Sequence, residues 1–255
     1  MQDPFSDIST LAAITAVMAL GGFVKGAVGF ALPMIALAGL GLFLPAQLAI
    51  GVLLIPAAVS NFWQTLRQGW RAAGQTARRF WHINLAMVAT MVFAAQVVPR
   101  ISSQTLFGIL GVAVTAAALV QLSGWRPRVQ GTIAGLRWIE SGLGAAAGVL
   151  GGLTGVWGPI ILNWLIALDT EKRKQIRMMG LNFLIGWWVL VIAHAGSGVL
   201  NAETLPISAA MLVPVMIAMW LGMKVQDRVD QDRFRKLTLI VLCLAGLNLL
   251  RRAVM

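Results

Sequence analysis

The chain has 255 residues, of which 58% are hydrophobic and only 11% are charged. Soluble globular proteins carry about 25% charged residues, so most of the surface of this chain is predicted to face lipid. A net charge of +11 would favour nucleic acid as a partner of a soluble protein. Here 16 of the 20 Lys and Arg residues lie in four short loops, a pattern typical of cytoplasmic membrane loops, and we exclude nucleic-acid binding. The four loops are residues 67–79, 126–137, 172–177 and 224–236.

Apolar segments fill the chain between these loops. A helix needs about 20 residues to cross the hydrocarbon core. Two of the segments, 8–44 and 138–168, are too long for one crossing, and glycine and proline interrupt both. The segments in chain order are residues 8–44, 46–66, 80–98, 105–122, 138–168, 178–195, 204–223 and 237–250. We therefore predict an all-α integral membrane protein with two broken or re-entrant helices.

The two interruptions resemble each other, which indicates an internal duplication. A shift of 129 residues (154 − 25) places Gly22, Gly26 and Gly29 on Gly151, Gly155 and Gly158. Roughly the same shift relates two later pairs of segments. We predict a first transmembrane repeat over residues 1–123, a cytoplasmic connecting loop over 124–136, and a second transmembrane repeat over 137–255.

The distribution of charge constrains the topology. If each long segment enters and leaves on one side, all four basic loops lie in the cytoplasm and the acidic N-terminus lies outside. Each half then has an odd number of full crossings, so the two repeats are inverted, as in many secondary transporters. A plain eight-helix arrangement is the alternative, and Arg251–Arg252 lie on the outer side in the inverted scheme. The predicted location is the bacterial inner membrane, with the chain crossing it several times.

The glycine-rich interruptions are the predicted binding site. Non-helical backbone at membrane depth is stable only where protein or an aqueous cavity covers it. Helices that restart at 30–34 and 158–161 would direct backbone N–H groups into that cavity, and such N-termini attract anions. The candidate residues here are Lys25, Gly26, Gly29, Phe30, Thr154, Gly155, Trp157 and Gly158. The alternative reading of the glycines is close helix packing by small residues.

Lys25 is the strongest single candidate. A cation inside an apolar segment is costly and is by default a functional residue, so Lys25 would supply positive charge for an anionic substrate. Alternatively its ammonium group reaches the interface or pairs with Glu140. We otherwise expect Glu140 to pair with Arg137 or to lie near the interface. In the alignment above, the counterpart of Lys25 is Thr154, which offers a hydroxyl instead of a charge.

Four neutral amides complete the predicted site. Each can donate to an anionic oxygen, although such side chains also join helices to one another. They are Asn61, Gln64, Asn163 and Asn182. His194 is a candidate for coupling to protons because imidazole titrates near physiological pH, with a structural role as the alternative. Trp157 would form a wall or gate of the site, or simply pack, and Trp187 and Trp188 are expected in the core.

The duplicated interruptions resemble those of the TauE/SafE family of membrane permeases, also called sulfite exporters. The resemblance lies in residues 22–29 with Pro33 and in residues 148–159, and the length and basic central loop agree with it. Family members typically carry a Gly-Gly-Gly run at each break, where this chain has Gly29-Phe30-Ala31 and Trp157-Gly158-Pro159. The resemblance implies transport of sulfite or a short organosulfonate, by a carrier that an ion gradient of H⁺ or Na⁺ can drive.

Other functions have less support. An anion channel, or a permease for another small carboxylate or inorganic anion, is the alternative. The apolar segments lack the paired carboxylates, His clusters or nucleophiles of a membrane enzyme. No Walker-type loop, cofactor fingerprint or metal-ligand spacing occurs in the chain, and its one cysteine, Cys243, excludes an intramolecular disulfide. The expected partners are a small anion and the lipid bilayer, and the small-residue faces are compatible with a homodimer without requiring one.

Overall fold

The computed structural model describes residues 7–29, 31–66, 70–124, 129, 133–225 and 231–254. It is 88% helical, and the described parts form eleven α-helices and one 3-10 helix, Val98–Arg100. The α-helices are α1 (Ile8–Val28), α2 (Leu32–Leu40), α3 (Ala46–Leu66), α4 (Trp70–Arg79), α5 (Trp81–Val97), α6 (Ser103–Leu122), α7 (Ile133–Thr154), α8 (Gly158–Ala167), α9 (Lys172–Ser197), α10 (Thr204–Val225) and α11 (Gln231–Val254).

Seven of the described helices are long and apolar enough to cross a membrane, namely α1, α3, α5, α6, α9, α10 and α11. The fold is therefore that of an all-α integral membrane protein, as the composition predicts. Helices α2 and α8 have only nine and ten residues, which corresponds to about 13–15 Å at 1.5 Å per residue. They are half-length helices, and each follows one of the two predicted interruptions.

The chain divides into two compact units, and the boundary between Ala57 and Ala58 falls within α3. The first comprises Met1–Ala57, Ile101–Ser123 and Val199–Met255, and the second comprises Ala58–Arg100 and Gly124–Gly198. Each unit thus contains helices from both halves of the sequence, because each pairs a broken helix of one half with later helices of the other. The predicted boundaries of the sequence repeats are therefore different from the boundaries of the compact units.

In the first unit, α1 lies parallel to α10 at very short range. A Cβ atom added at Gly26 would lie 2.1 Å from the carbonyl oxygen of Met219, and one added at Gly22 would lie 2.6 Å from that of Val215. On the other side of α1, α2 turns back antiparallel, since Gly21 faces Leu32 and Gly39 faces Val17. The first long segment is thus a hairpin with one full-length arm and one half-length arm.

In the second unit, α5 and α7 form the corresponding parallel pair. Cβ atoms added at Gly144, Gly148 and Gly152 would lie 2.3, 2.2 and 2.7 Å from the carbonyl oxygens of Ile83, Met87 and Met91. Small residues that let two backbones approach are the usual means of packing helices in lipid, where no hydrophobic force drives them together. Glycine therefore has the same packing role in both units.

A proline inside α3 is accommodated by a neighbouring hydroxyl. Pro56 has no N–H, so the carbonyl of Val52 loses its usual partner within the helix. The Ser208 hydroxyl, on the buried face of α10, donates to that carbonyl oxygen at 3.0 Å and accepts from the N–H of Ile55 at 3.1 Å. The Val52 carbonyl therefore keeps a hydrogen-bond donor despite the proline.

Candidate functional site

The first break separates α1 from α2. Helix α1 ends at Val28, and Gly29 follows in the left-handed conformation (φ 86°) with its N–H donating to the carbonyl of Lys25 at 2.7 Å. Ala31 is also left-handed (φ 83°), immediately before α2. A residue with a Cβ rarely adopts this conformation outside functional or switch regions, because it costs about 1–3 kcal/mol.

The second break repeats the left-handed glycine of the first, although Trp157, which precedes α8, has φ −126° and is not left-handed like Ala31. Helix α7 ends at Thr154, and left-handed Gly155 (φ 70°) donates its N–H to the carbonyl of Gly151 at 2.7 Å. The Thr154 hydroxyl donates to the carbonyl of Leu150 at 2.7 Å and accepts from the N–H of Val156 at 3.2 Å. These bonds hold the turn itself, so the Thr154 hydroxyl is already engaged.

The geometry gives a different correspondence between the two breaks from the one predicted. The left-handed glycines Gly29 and Gly155 are 126 residues apart (155 − 29), and Pro33 and Pro159 have the same separation. The predicted shift of 129 residues is therefore wrong by three. The counterpart of Lys25 is Gly151, not Thr154.

The half-length helices α2 and α8 begin in the same way. Each has a proline in its first turn, and neither has a side chain that caps its N-terminus. The first N–H groups of a helix have no partner within the helix, and the helix dipole makes this end positive. At α8, however, Pro159 has no N–H and the Ile160 N–H donates to the carbonyl of Trp157 at 3.1 Å. An anion there would be attracted mainly by the positive end of the helix dipole.

A chain of hydrogen bonds fixes Trp157, the residue just before α8. Its indole N–H donates to Asn182 Oδ1 on α9 at 2.7 Å, and Asn182 Nδ2 donates to Asn84 Oδ1 on α5 at 2.9 Å. Asn84 Nδ2 in turn donates to the carbonyl of Phe80 at 3.1 Å. Because an indole nitrogen can only donate, the direction of the chain follows from its first member.

Two glycines make room for the Trp157 ring. A Cβ atom would lie 2.9 Å from the ring at Gly151 and 2.4 Å from it at Gly186. Phe183 and Trp187 on α9 complete the surroundings, with ring centroids 5.6 and 5.3 Å from that of Trp157. The indole is fully buried. Gly151, which forms one wall of its slot, is the residue that corresponds to Lys25 in the first half of the chain.

Replacing Asn182 with leucine is expected to lower the free energy of unfolding by about 2–4 kcal/mol. The change leaves the Trp157 N–H and Asn84 Oδ1 buried without their partner, and each such group costs about 1–3 kcal/mol. The melting temperature in detergent should fall by roughly 5–10 °C. Asn163→Leu is the control, because Asn163 is a partly exposed amide on α8 outside this chain of hydrogen bonds. Equal melting temperatures of the two variants would contradict the role assigned to Asn182.

The other predicted residues lie in several environments. Lys25 is buried, with 3% exposure, and Asn61 is buried, with 1%. Gly26 faces the backbone of α10. This contact agrees with the alternative reading of the glycines, in which they allow close helix packing. A Cβ at Gly158 would lie 2.6 Å from the ring of Phe183. Phe30 and the side chain of Gln64 lie outside the described residues.

Two further sequence expectations concern charged and titratable groups. Glu140 pairs with Arg79, at 3.3 Å between Oε2 and Nη1, and not with Arg137 as predicted. The two residues are brought together because α5 and α7 run in parallel and Arg79 directly precedes α5. His194 is buried, and its Nδ1 lies 3.3 Å from the Ser197 hydroxyl one turn away in α9.

Asn84 and Trp187 are functional candidates that the sequence reading did not select. Asn84 is one of the few polar residues in the apolar stretch of α5, and that contrast was the available signal. The prediction of a core position is confirmed for Trp187, with 1% exposure, but is wrong for Trp188, with 43%, because adjacent residues of a helix point about 100° apart. The position of Trp187 beside Trp157 depends on the folding of the second break. Sequence spacing alone does not reveal that contact.

The fold is that of a multi-pass membrane protein with two broken helices. The family model described as sulfite exporter TauE/SafE matches residues 14–249. The chain therefore belongs to the TauE/SafE sulfite exporter family, as the glycine-rich breaks predict. Comparisons of this chain with curated proteins and with solved structures found no match.

Proposed function

We propose that this protein is a secondary transporter of a small oxyanion, namely sulfite or a short organosulfonate. The observation that carries the proposal is the pair of half-length helices, α2 and α8, that begin without a side-chain cap after left-handed breaks. A sulfur oxyanion presents several acceptor oxygens and a full negative charge, which suits helix N-terminal N–H donors. Membership in a family of sulfite exporters supports the same substrate class.

Reciprocal helix pairing supports a transport mechanism based on inverted repeats. Helix α1 of the first half pairs with α10 of the second, and α7 of the second half pairs with α5 of the first. Helices α6 and α11, the last of each half, pack antiparallel, with Gly108 facing Ala253 and Thr115 facing Gly246. Inverted repeats place such counterparts antiparallel, and they are the usual basis of alternating access.

The orientation that we propose places the basic loops in the cytoplasm of a bacterial cell. The described ends of these loops include Arg78 and Arg79 at the end of α4 and Lys172 at the start of α9. Clustered cations are favoured at the cytoplasmic leaflet. A proton or sodium gradient would drive transport, and His194 remains a candidate for the coupling residue.

The test is uptake of radiolabelled sulfite and a panel of short sulfonates and carboxylates into proteoliposomes. Saturable uptake that responds to an imposed proton or sodium gradient, and that counterflow of unlabelled anion accelerates, is the expected result. Flux that rises without saturation and shows no counterflow would identify a channel instead. Uptake of a carboxylate but of no sulfur anion would overturn the substrate assignment.

A further inference from the structure

Trp187 carries a buried donor that the fold leaves without an acceptor. The residue lies on α9 with 1% exposure, and among the residues that the structure describes its Nε1 has no hydrogen-bond partner. By contrast, the N–H of the neighbouring Trp157 is engaged by Asn182. An indole nitrogen can only donate, and a buried donor without a partner destabilises a protein. Such a group therefore points to a missing acceptor.

Trp187 lies beside the second break. Its ring packs on that of Trp157, which is the residue preceding α8, with 5.3 Å between the ring centroids. The N-terminus of α8 has no side-chain cap and is electrostatically suited to an anion. A buried donor and an uncapped helix end thus occur at the same break.

The first half of the chain has a buried donor at the matching position. Helices α3 and α9 begin 126 residues apart (172 − 46), the same separation as the two breaks, and this separation places Asn61 on Trp187. Asn61 is also buried, with 1% exposure. Both halves therefore carry an N–H donor at the same position of the helix that follows the half-length helix.

We propose that the Trp187 N–H donates a hydrogen bond to an oxygen of the anion bound at the N-terminus of α8. This inference rests on the proposed function and adds a specific substrate-binding residue to it. The ligand class is a small oxyanion, because the donor requires an acceptor oxygen and the helix end requires negative charge. The indole supplies a neutral donor in the half of the chain where glycine replaces Lys25.

The test compares two variants, each of which replaces a buried tryptophan with phenylalanine and so removes an indole N–H group. Trp187→Phe keeps an aromatic ring but removes the donor, and the KM for sulfite uptake is expected to rise by about tenfold or more, since a hydrogen bond to a charged group is lost. Trp164→Phe is the matched control. Trp164 is also buried with an unpartnered indole nitrogen, but it lies about 9 Å further along α8. Its substitution should leave the KM unchanged.

A third variant separates hydrogen bonding from packing. Trp187→Gln restores an N–H donor but fills the site less well, so its KM should lie nearer to that of the wild type than the KM of Trp187→Phe does. The opposite order, or an equal KM change in the Trp164 control, would overturn the inference. So would an unchanged KM in Trp187→Phe.

A binding measurement distinguishes failure of this inference from failure of the proposed function. Sulfite and sulfate should each raise the melting temperature of the wild-type protein in detergent, and this shift should be reduced in Trp187→Phe. If the wild type shows the shift without transporting sulfite, the transport proposal fails while the anion site stands. If the shift is the same in the wild type and Trp187→Phe, the role of Trp187 is wrong whatever the transport result.

Discussion

Lys25→Ala is expected to lower the kcat/KM of sulfite uptake by about 10- to 100-fold. Lys25 is buried on α1, one turn before the left-handed Gly29, so its backbone lies next to the first break. A hydrogen bond to a charged group contributes about 1.5–3 kcal/mol, which corresponds to this range. Initial rates of uptake into proteoliposomes, normalised to the amount of inserted protein, provide the measurement.

Lys224→Ala is the appropriate control for the loss of a positive charge. Lys224 is exposed at the end of α10, with its Nζ 3.5 Å from the ring centroid of Trp220. Although α10 packs on α1, Lys224 is a surface charge, whereas Lys25 is buried. Its removal lowers the net charge by the same amount and should leave kcat/KM within about twofold. If the two variants transport sulfite equally well, Lys25 has a structural role and does not act on the anion.

Gly148→Ala is expected to lower the melting temperature by roughly 5–10 °C. The added Cβ would lie 2.2 Å from the carbonyl oxygen of Met87 and 2.1 Å from the Thr90 hydroxyl, so α5 and α7 must separate. Overpacking of this kind typically costs about 1–3 kcal/mol, or about 2–4 °C per kcal/mol in a chain of this size. Size-exclusion chromatography of the detergent-solubilised protein after heating gives the melting temperature.

The same helix offers a matched control at Gly142. A Cβ at this position meets nothing within 4 Å, and alanine favours the helix by up to about 1 kcal/mol relative to glycine. Gly142→Ala should therefore melt at the same temperature as the wild type or slightly higher. If both alanine variants are as stable as the wild type, α5 and α7 are not packed as closely as the structure has them.

The glycine pattern shows both what the sequence predicts and where it is ambiguous. Glycines spaced by four and then three residues occur at Gly22, Gly26 and Gly29, and they mark a real break. In the second half this spacing occurs twice, in the overlapping sets 148, 152, 155 and 151, 155, 158. Only the left-handed backbone at Gly155 and the prolines that follow select the first set.

The contacts around Trp157 could not be predicted in the same way. The apolar segments of the sequence predict where α5, α8 and α9 lie along the chain. They do not predict which face of each helix packs against the others. The pairing of Asn84 with Asn182, 98 residues apart in sequence, depends on that packing. The Arg79–Glu140 ion pair depends on helix packing in the same way. Spacing along the sequence instead favours Arg137 as the partner of Glu140.

Because the Ser208 hydroxyl replaces the helical hydrogen bond that Pro56 removes, the residues that evolution can accept at positions 56 and 208 depend on each other. If Pro56 were replaced by any other residue, the restored N–H could serve the Val52 carbonyl, and Ser208 would be free to change. If Ser208 changed first, that carbonyl would lose the donor that replaces the missing helical bond, and such a buried loss is costly. Substitutions at this crossing of α3 and α10 are therefore expected to occur in a preferred order, with the proline lost before the serine.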